Sequence, residues 1–266
     1  MKIKFLSFFV LTLLMSCKND AKTTEDTVTT EFETELVTTS IYPEDVTKVF
    51  DAHGGIDTWN KMQTLSFTIQ KPNGAEVTTT NLKTRDEVIE TPTYTAGFDG
   101  SKYWVVEKDG NEYKGNAKFY KGLMMYFYAM PFILGDDGIE YQTIEPLEFE
   151  GKSYPGFMVS YEAGIGVASN DQYKLFYDAE TGQMQWLAYT VTFGKDEKSD
   201  KFSYIRYNNW ENVNGVVLPK SIDWYTVEDG QPTEKRNTVI FEDIKLSQEA
   251  PAETMFSAPE GAKMIE

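Results

Sequence analysis

The sequence predicts a mainly β domain: a strongly curved antiparallel sheet, a half-barrel of roughly a dozen strands, with an N-terminal helix and an inserted apolar lid helix. Three observations predict it. Apolar and polar residues alternate with a period of two along much of the chain, as on a sheet with one covered face. Turn pairs such as Asp99-Gly100, Asp109-Gly110 and Asn214-Gly215 punctuate those runs as hairpin signals. No strand-helix-strand alternation calls for a parallel sheet. With no internal repeat and no second linker, residues 41–266 read as one domain.

The first element reads as a helix. Pro43 suits its first position, and Glu44 and Asp45 suit the positive end of its dipole. Val46, Val49, Phe50 and His53 fall on one face, and Gly54-Gly55 stops the helix. Asp57 reads as the cap of a short turn carrying Trp59 and Met62. Strand-like runs follow at residues 64–70, 75–83, 86–90, 94–98 and 102–107. A second series covers 138–144, 146–149, 157–162, 172–177, 183–193, 202–207, 216–226 and 232–245. In the run at 183–193, Trp186 and Ala188 face one side while Leu187 and Tyr189 face the other. Apolar groups on both faces mean that both are covered, by helix on one side and by ligand on the other.

Residues 118–134 break the β pattern. The stretch from Leu123 to Leu134 is apolar almost all round, so a helix here is buried or covers something apolar. It is too short for a bilayer, which needs about 20 residues, and Pro131 ends or kinks it.

The N-terminus carries an address. Lys2 and Lys4 precede an apolar run from Phe5 to Met15, the pattern of an export signal over residues 1–16. Leu14-Met15-Ser16-Cys17 then resembles a bacterial lipobox, which implies cleavage before Cys17 and lipidation of that residue. Several acyl chains, each CH2 worth about 0.8 kcal/mol, hold a protein stably on a membrane. The bland alternative is a free thiol after an ordinary signal. Residues 18–40 hold eight Thr and six acids among few large apolar groups, and read as a flexible tether. An edge strand at 29–37 is the other reading. The expected location is the cell envelope, at the outer rather than the inner membrane.

Composition narrows the function. The chain has 266 residues, with 25 Lys and Arg against 42 Asp and Glu, a net charge of −17. Such acidity argues against a nucleic-acid surface, and makes lipid rather than charge the means of holding a membrane. One Cys excludes an intrachain disulfide framework, and one His excludes multi-His metal sites. Neither metal nor cofactor is expected, and the chain reads as a monomer.

The order of elements resembles the half-barrel of the lipoprotein-localisation proteins LolA and LolB. The late strands carry Tyr173-Lys174-Leu175-Phe176-Tyr177-Asp178, Tyr207-Asn208-Asn209-Trp210, Asn214-Gly215-Val216-Val217-Leu218-Pro219 and Phe241-Glu242-Asp243-Ile244-Lys245. The early His53-Gly54-Gly55 with Trp59, and Met130-Pro131-Phe132 with Leu134, Asp136 and Gly138, are similar to a group of lipoproteins of Bacteroidota-type bacteria. The resemblance spans about residues 45–262. It implies an apolar concavity under a helical lid, suited to acyl chains.

Candidate chemistry is sparse. His53 lies on an apolar helix face without an evident nucleophile partner, and reads as packed rather than catalytic. Gly164-Ile165-Gly166 lacks the phosphate-loop patterns. The pairs Asp136/Asp137 and Glu242/Asp243 read as chance neighbours in an acidic chain, and no Ser sits in a GxSxG elbow. The aromatic excess, 14% of residues, is the informative feature. The residues expected to line an apolar cavity or form its lid are Trp104, Leu123, Tyr126, Phe127, Met130, Phe132, Trp186, Tyr189, Tyr204 and Trp224. The leading expectation is a non-catalytic, lipid-anchored protein that binds lipid or a lipidated chain. The alternatives are an interaction module with a filled core and a hydrolase acting on lipid or glycan.

Overall fold

Among the described residues, period-two patterning becomes fourteen strands, hydrogen-bonded into two seven-stranded antiparallel sheets. A computed structural model describes residues 41–161, 170–195 and 197–265. Cys17, the tether and Gly164-Ile165-Gly166 lie outside the described residues.

The predicted helix is α1, Glu44–Ala52, with Val46, Val49 and Phe50 buried. Pro43 stands one residue before it, in extended conformation, rather than inside it. Gly54 and Gly55 (φ 97° and 86°) turn the chain into α2, Ile56–Trp59. Asp57 lies within that short helix and is not its cap.

The first sheet has the order β13-β1-β2-β3-β4-β5-β14. Its strands are β1 Thr64–Lys71, β2 Gly74–Asn81, β3 Glu87–Glu90, β4 Tyr94–Phe98, β5 Tyr103–Glu107, β13 Glu242–Ser247 and β14 Lys263–Ile265. The last was not legible in the sequence. The second sheet runs β12-β11-β10-β9-β8-β7-β6. It comprises β6 Ile139–Phe149, β7 Lys152–Tyr161, β8 Tyr173–Tyr177, β9 Met184–Tyr189, β10 Ser203–Val213, β11 Val216–Glu228 and β12 Gln231–Ile240.

The strand expected at 157–162 starts at Lys152, that at 183–193 ends at Tyr189, and that at 202–207 continues to Val213. Two further expectations change in how runs join, each for a physical reason. The runs at 138–144 and 146–149 are one strand, because a register shift between Ile144 and Leu147 absorbs Pro146. The run at 232–245 is two strands belonging to different sheets, separated by Phe241 alone. A strand that changes sheets makes a corner. The Phe241 N–H donates to the Lys220 carbonyl at 2.9 Å. Its ring enters the core, 5.3 Å from Phe67 and 4.5 Å from Tyr128. This corner joins the two sheets around one hydrophobic core, which also takes in α1, α2 and the inserted segment.

The inserted helix expected over 118–134 is three short pieces: α3 Ala117–Tyr120, α4 Leu123–Tyr128 and a 3-10 turn Phe132–Gly135. Gly122, in left-handed conformation (φ 76°), separates the first two. Pro131, which has no N–H to continue a helix, precedes the third. An N-terminal helix, a curved antiparallel sheet and an apolar helix inserted midway are present in that order.

Candidate functional site

The insert occupies the inner side of the sheets. Met125, Tyr128, Ala129, Met130, Phe132, Ile133 and Leu134 are all buried. Phe132 stacks on Trp59 at 5.0 Å and lies 6.2 Å from Phe50, so the first two helices and the insert share one aromatic stack. The insert therefore packs into the main core with the chain's own side chains.

Polar anchors fix the insert from the start of α4 to the end of the 3-10 turn. The Glu87 carboxylate accepts the Gly122 N–H at 2.6 Å and the Thr80 hydroxyl at 3.0 Å. At the far end Arg85 makes a two-oxygen ion pair with Asp136 at 2.6 and 2.8 Å. Between them, the Tyr207 hydroxyl donates to the Phe127 carbonyl at 2.8 Å. The Tyr42 hydroxyl donates to the Gly135 carbonyl at 3.0 Å, and that of Tyr141 to the Leu134 carbonyl. Burial pushes the Glu87 carboxyl above the usual carboxylate range, against the pull of Gly122 and Lys121. Asp136 is also pushed up by burial, opposed by Arg85.

Beside α4 lies an aromatic mouth. Phe127 is 4.9 Å from Tyr189 and 5.9 Å from Trp224, edge-on to the latter. The Trp224 indole N–H donates to the Tyr189 hydroxyl at 3.1 Å. Tyr189 and Trp224 are half-buried, so this cluster is where the core reaches the surface. Deeper in, the Tyr128 hydroxyl and the Trp210 indole N–H are buried without a hydrogen-bond partner among the described residues. An orphaned buried donor of this kind costs about 1–3 kcal/mol.

The ten expected cavity residues divide by sheet face. Leu123, Tyr126, Phe127, Met130, Phe132, Tyr189 and Trp224 belong to or pack against the main core. Trp186 and Tyr204 sit in a second cluster with Phe149, Phe176, Ala188 and Tyr225. Register explains this: Ala188 pairs with Tyr204 and Leu187 with Ile205, so Trp186 and Tyr189 point to opposite faces. That second face is covered by the β6–β7 strands and by Arg206, whose guanidinium lies 5.2 Å from the Trp186 ring and 5.4 Å from that of Phe149. Trp104 belongs to a third cluster under the C-terminal segment, donating to the Phe256 carbonyl at 2.8 Å.

His53 is packed. It is fully buried; its Nδ1 lies 3.0 Å from the Val217 carbonyl and its Nε2 accepts the Met184 N–H at 3.0 Å. This fixes the neutral tautomer with the proton on Nδ1, and burial pushes its pKa down to about 4. Both nitrogens hold backbone, joining the end of α1 to β9 and β11.

Sequence reasoning missed a buried polar strip. Glu76, Thr78, Thr80 and Glu87 are all buried on the inner face of β2 and β3. Glu76 accepts the Tyr120 hydroxyl at 2.7 Å and lies 3.6 Å from Lys71. The alternation Glu76-Val77-Thr78-Thr79-Thr80 carries no sign of which face is inside, because both are short on large apolar groups. Among the described residues no cluster of His, Cys, Asp and Glu could hold a metal ion. No described helix is long and apolar enough to cross a membrane.

No family model and no curated protein match the chain. Among solved structures it is similar to a LolA superfamily protein from Nitrosomonas europaea, at 10% identity over 73% of this chain and 88% of that one, with a TM-score of 0.45. It is similar to a DUF1329 family protein from Desulfovibrio piger, at 13% identity over 81% and 98% of the two chains, TM-score 0.47. A third is an outer membrane lipoprotein-sorting protein domain from Vibrio parahaemolyticus, at 6% identity over 77% and 96%, TM-score 0.40. At these identities and scores the likeness brings no ligand or activity to this chain.

Proposed function

We propose that this chain is a lipid-anchored envelope protein, held at the outer membrane through Cys17, that binds an apolar ligand without catalysis. The ligand is lipid or a lipidated chain, and the protein acts as a monomer. The insert is the lid: in the closed conformation it fills the space that the ligand takes. One observation carries this reading: a nearly all-apolar segment is buried on the inner side of the sheets, next to a half-buried aromatic mouth at Phe127, Tyr189 and Trp224.

The exchange is energetically feasible. An acyl chain contributes about 0.8 kcal/mol per buried CH2, and a large apolar side chain about 1.5–3 kcal/mol. A long acyl chain therefore offsets the exposure of about five insert side chains, and the position of the equilibrium rests on the anchors. The unpartnered Tyr128 hydroxyl and Trp210 N–H supply donors for a polar ester or amide group entering with the chain. The engagement of both His53 nitrogens by backbone supports a binding rather than a catalytic role.

The filled interior favours a second reading, an interaction module whose core never opens. Native mass spectrometry of the full chain carrying Cys17→Ser, which removes the anchor itself, separates the two. The binding reading expects extra mass released as lipid on solvent extraction, and saturable uptake of a fluorescent fatty acid. An empty protein that takes up no acyl probe overturns the binding reading in favour of the interaction module.

A further inference from the structure

A groove of about 370 Å3 lies outside the aromatic mouth, between Lys71 and Glu76, the β3–β4 turn and residues 112–120. That volume falls in the range of small-molecule sites, about 300–1,000 Å3. We propose that this groove is a saccharide site that takes a short neutral oligosaccharide.

Its lining selects that chemistry. Aromatic rings form the walls: Tyr94 and Tyr113 cross at 63° with centroids 4.8 Å apart, and Phe119 and Tyr120 stand beside them. Phe119 is 38% exposed, with its ring 5.3 Å from that of Phe193, and offers a ring to a ligand. Tyr94 and Tyr113 are half-buried, packed on Ala96, Val105 and Ala117 on one side and lining the groove on the other. Sugar rings present C–H faces to such walls and hydroxyls at their edges. The polar groups at the edges are of the matching kind. Asn116 uses its side-chain oxygen on the Phe119 N–H at 3.1 Å, which leaves its NH2 as a donor. Burial raises the Tyr94 hydroxyl to about 12 and also raises Tyr113, so both remain neutral donors and acceptors across physiological pH.

Charge balance excludes the competing classes. Lys71 stands against Glu76 at 3.6 Å, and Lys114 against Glu112 at 3.7 Å. Two cations and two anions leave no surplus with which to select a phosphate, a carboxylate or an amine. An acyl chain in the same place would cover the charges of Lys71, Glu112 and Lys114 without replacing their water. A neutral ligand with hydroxyl groups meets both the rings and the paired charges.

The test uses the full chain carrying Cys17→Ser and titration calorimetry. The probes are short neutral oligosaccharides of glucose, galactose, mannose and N-acetylglucosamine. At least one binds saturably, and Tyr113→Ala weakens it by about tenfold, equivalent to about 1.4 kcal/mol. Lys114→Gln leaves the affinity within about twofold, since one exposed charge adds little. Should Tyr113→Ala lower the melting temperature, Phe119→Ala on the exposed side of the groove replaces it and gives the same loss. Absence of binding by every probe, or binding indifferent to both ring deletions, overturns the proposal. Acyl-probe uptake is unaffected by either variant, so failure here is distinct from failure of lipid binding.

Discussion

The carboxylate of Glu87, 1% exposed, receives the backbone N–H of Gly122 at 2.6 Å. A buried acid thus holds the left-handed residue between α3 and α4. Its neighbours are Thr80, which donates to it, and Lys121, whose own pKa is lowered by burial. The pairing makes the insert's attachment sensitive to the charge of one group.

Substitution of Glu87 separates its hydrogen bond from its charge. The folded-state pKa is raised above the unfolded value. The resulting stability is fully present below the unfolded pKa, about 4.3, and is lost as pH rises through the folded pKa. Glu87→Gln keeps an acceptor for Gly122 and removes the charge, so it melts higher than the parent at neutral pH and no higher in acid. In a domain of this size about 1 kcal/mol moves Tm by about 2–4 °C. Glu87→Ala leaves the Gly122 N–H and the Thr80 hydroxyl unpaired and costs about 1–3 kcal/mol. Thermal melts at two pH values check both.

His53 acts with the opposite sign. Its folded pKa of about 4 lies below the unfolded value. Its contribution is present above the unfolded pKa, about 6.5, and is lost as pH falls toward 4. The gap corresponds to about 3 kcal/mol at about 1.36 kcal/mol per unit. It is the one His in the chain, so a single imidazole resonance reports it by NMR. The expected midpoint is near 4; a midpoint near 6.5 would place the ring in water.

The Arg85–Asp136 pair sets how easily the far end of the insert lifts. Its side chains are 21% and 40% exposed, so its removal costs about 1 kcal/mol of global stability at most. Asp136→Asn is expected to speed hydrogen exchange at residues 132–136 well beyond that global change. It also increases acyl-probe affinity, because less work is needed to open the lid. Equal acceleration across the whole core would show that the pair does not act locally.

Gly97 tests the outer cluster. A Cβ there would meet the Trp104 ring at 2.2 Å. Gly97→Ala therefore displaces Trp104 from its bond to the Phe256 carbonyl, at a cost of about 1–3 kcal/mol. Proteolysis should then release residues 253–265 first, with lipid uptake unchanged.

Much of the fold was legible because one face of each strand is buried and its alternation shows. Strands β1 to β5 lie within a few residues of their expected bounds, and α1 buries the face that its spacing marks. The corner at Phe241 was not legible: a one-residue break in a long alternating run looks like more strand until two sheets compete for it. The site was half legible. The apolar insert and its aromatic partners Tyr189 and Trp224 announce themselves. Trp186 and Tyr204 carry the same chemistry but face outward, which only register decides. The polar strip at Glu76 and Glu87 was hidden, since buried acids look in sequence like exposed ones.

Photo-crosslinking tests lipid capture under the insert most directly. A fatty acid with a diazirine near its tail is irradiated with the full chain carrying Cys17→Ser, and adducts are mapped by mass spectrometry. Adducts concentrated on Phe127, Met130, Tyr189 and Trp224 are the expected result. Adducts confined to the outer cluster around Trp186, or none above the unirradiated control, would contradict lipid binding between the insert and the sheet.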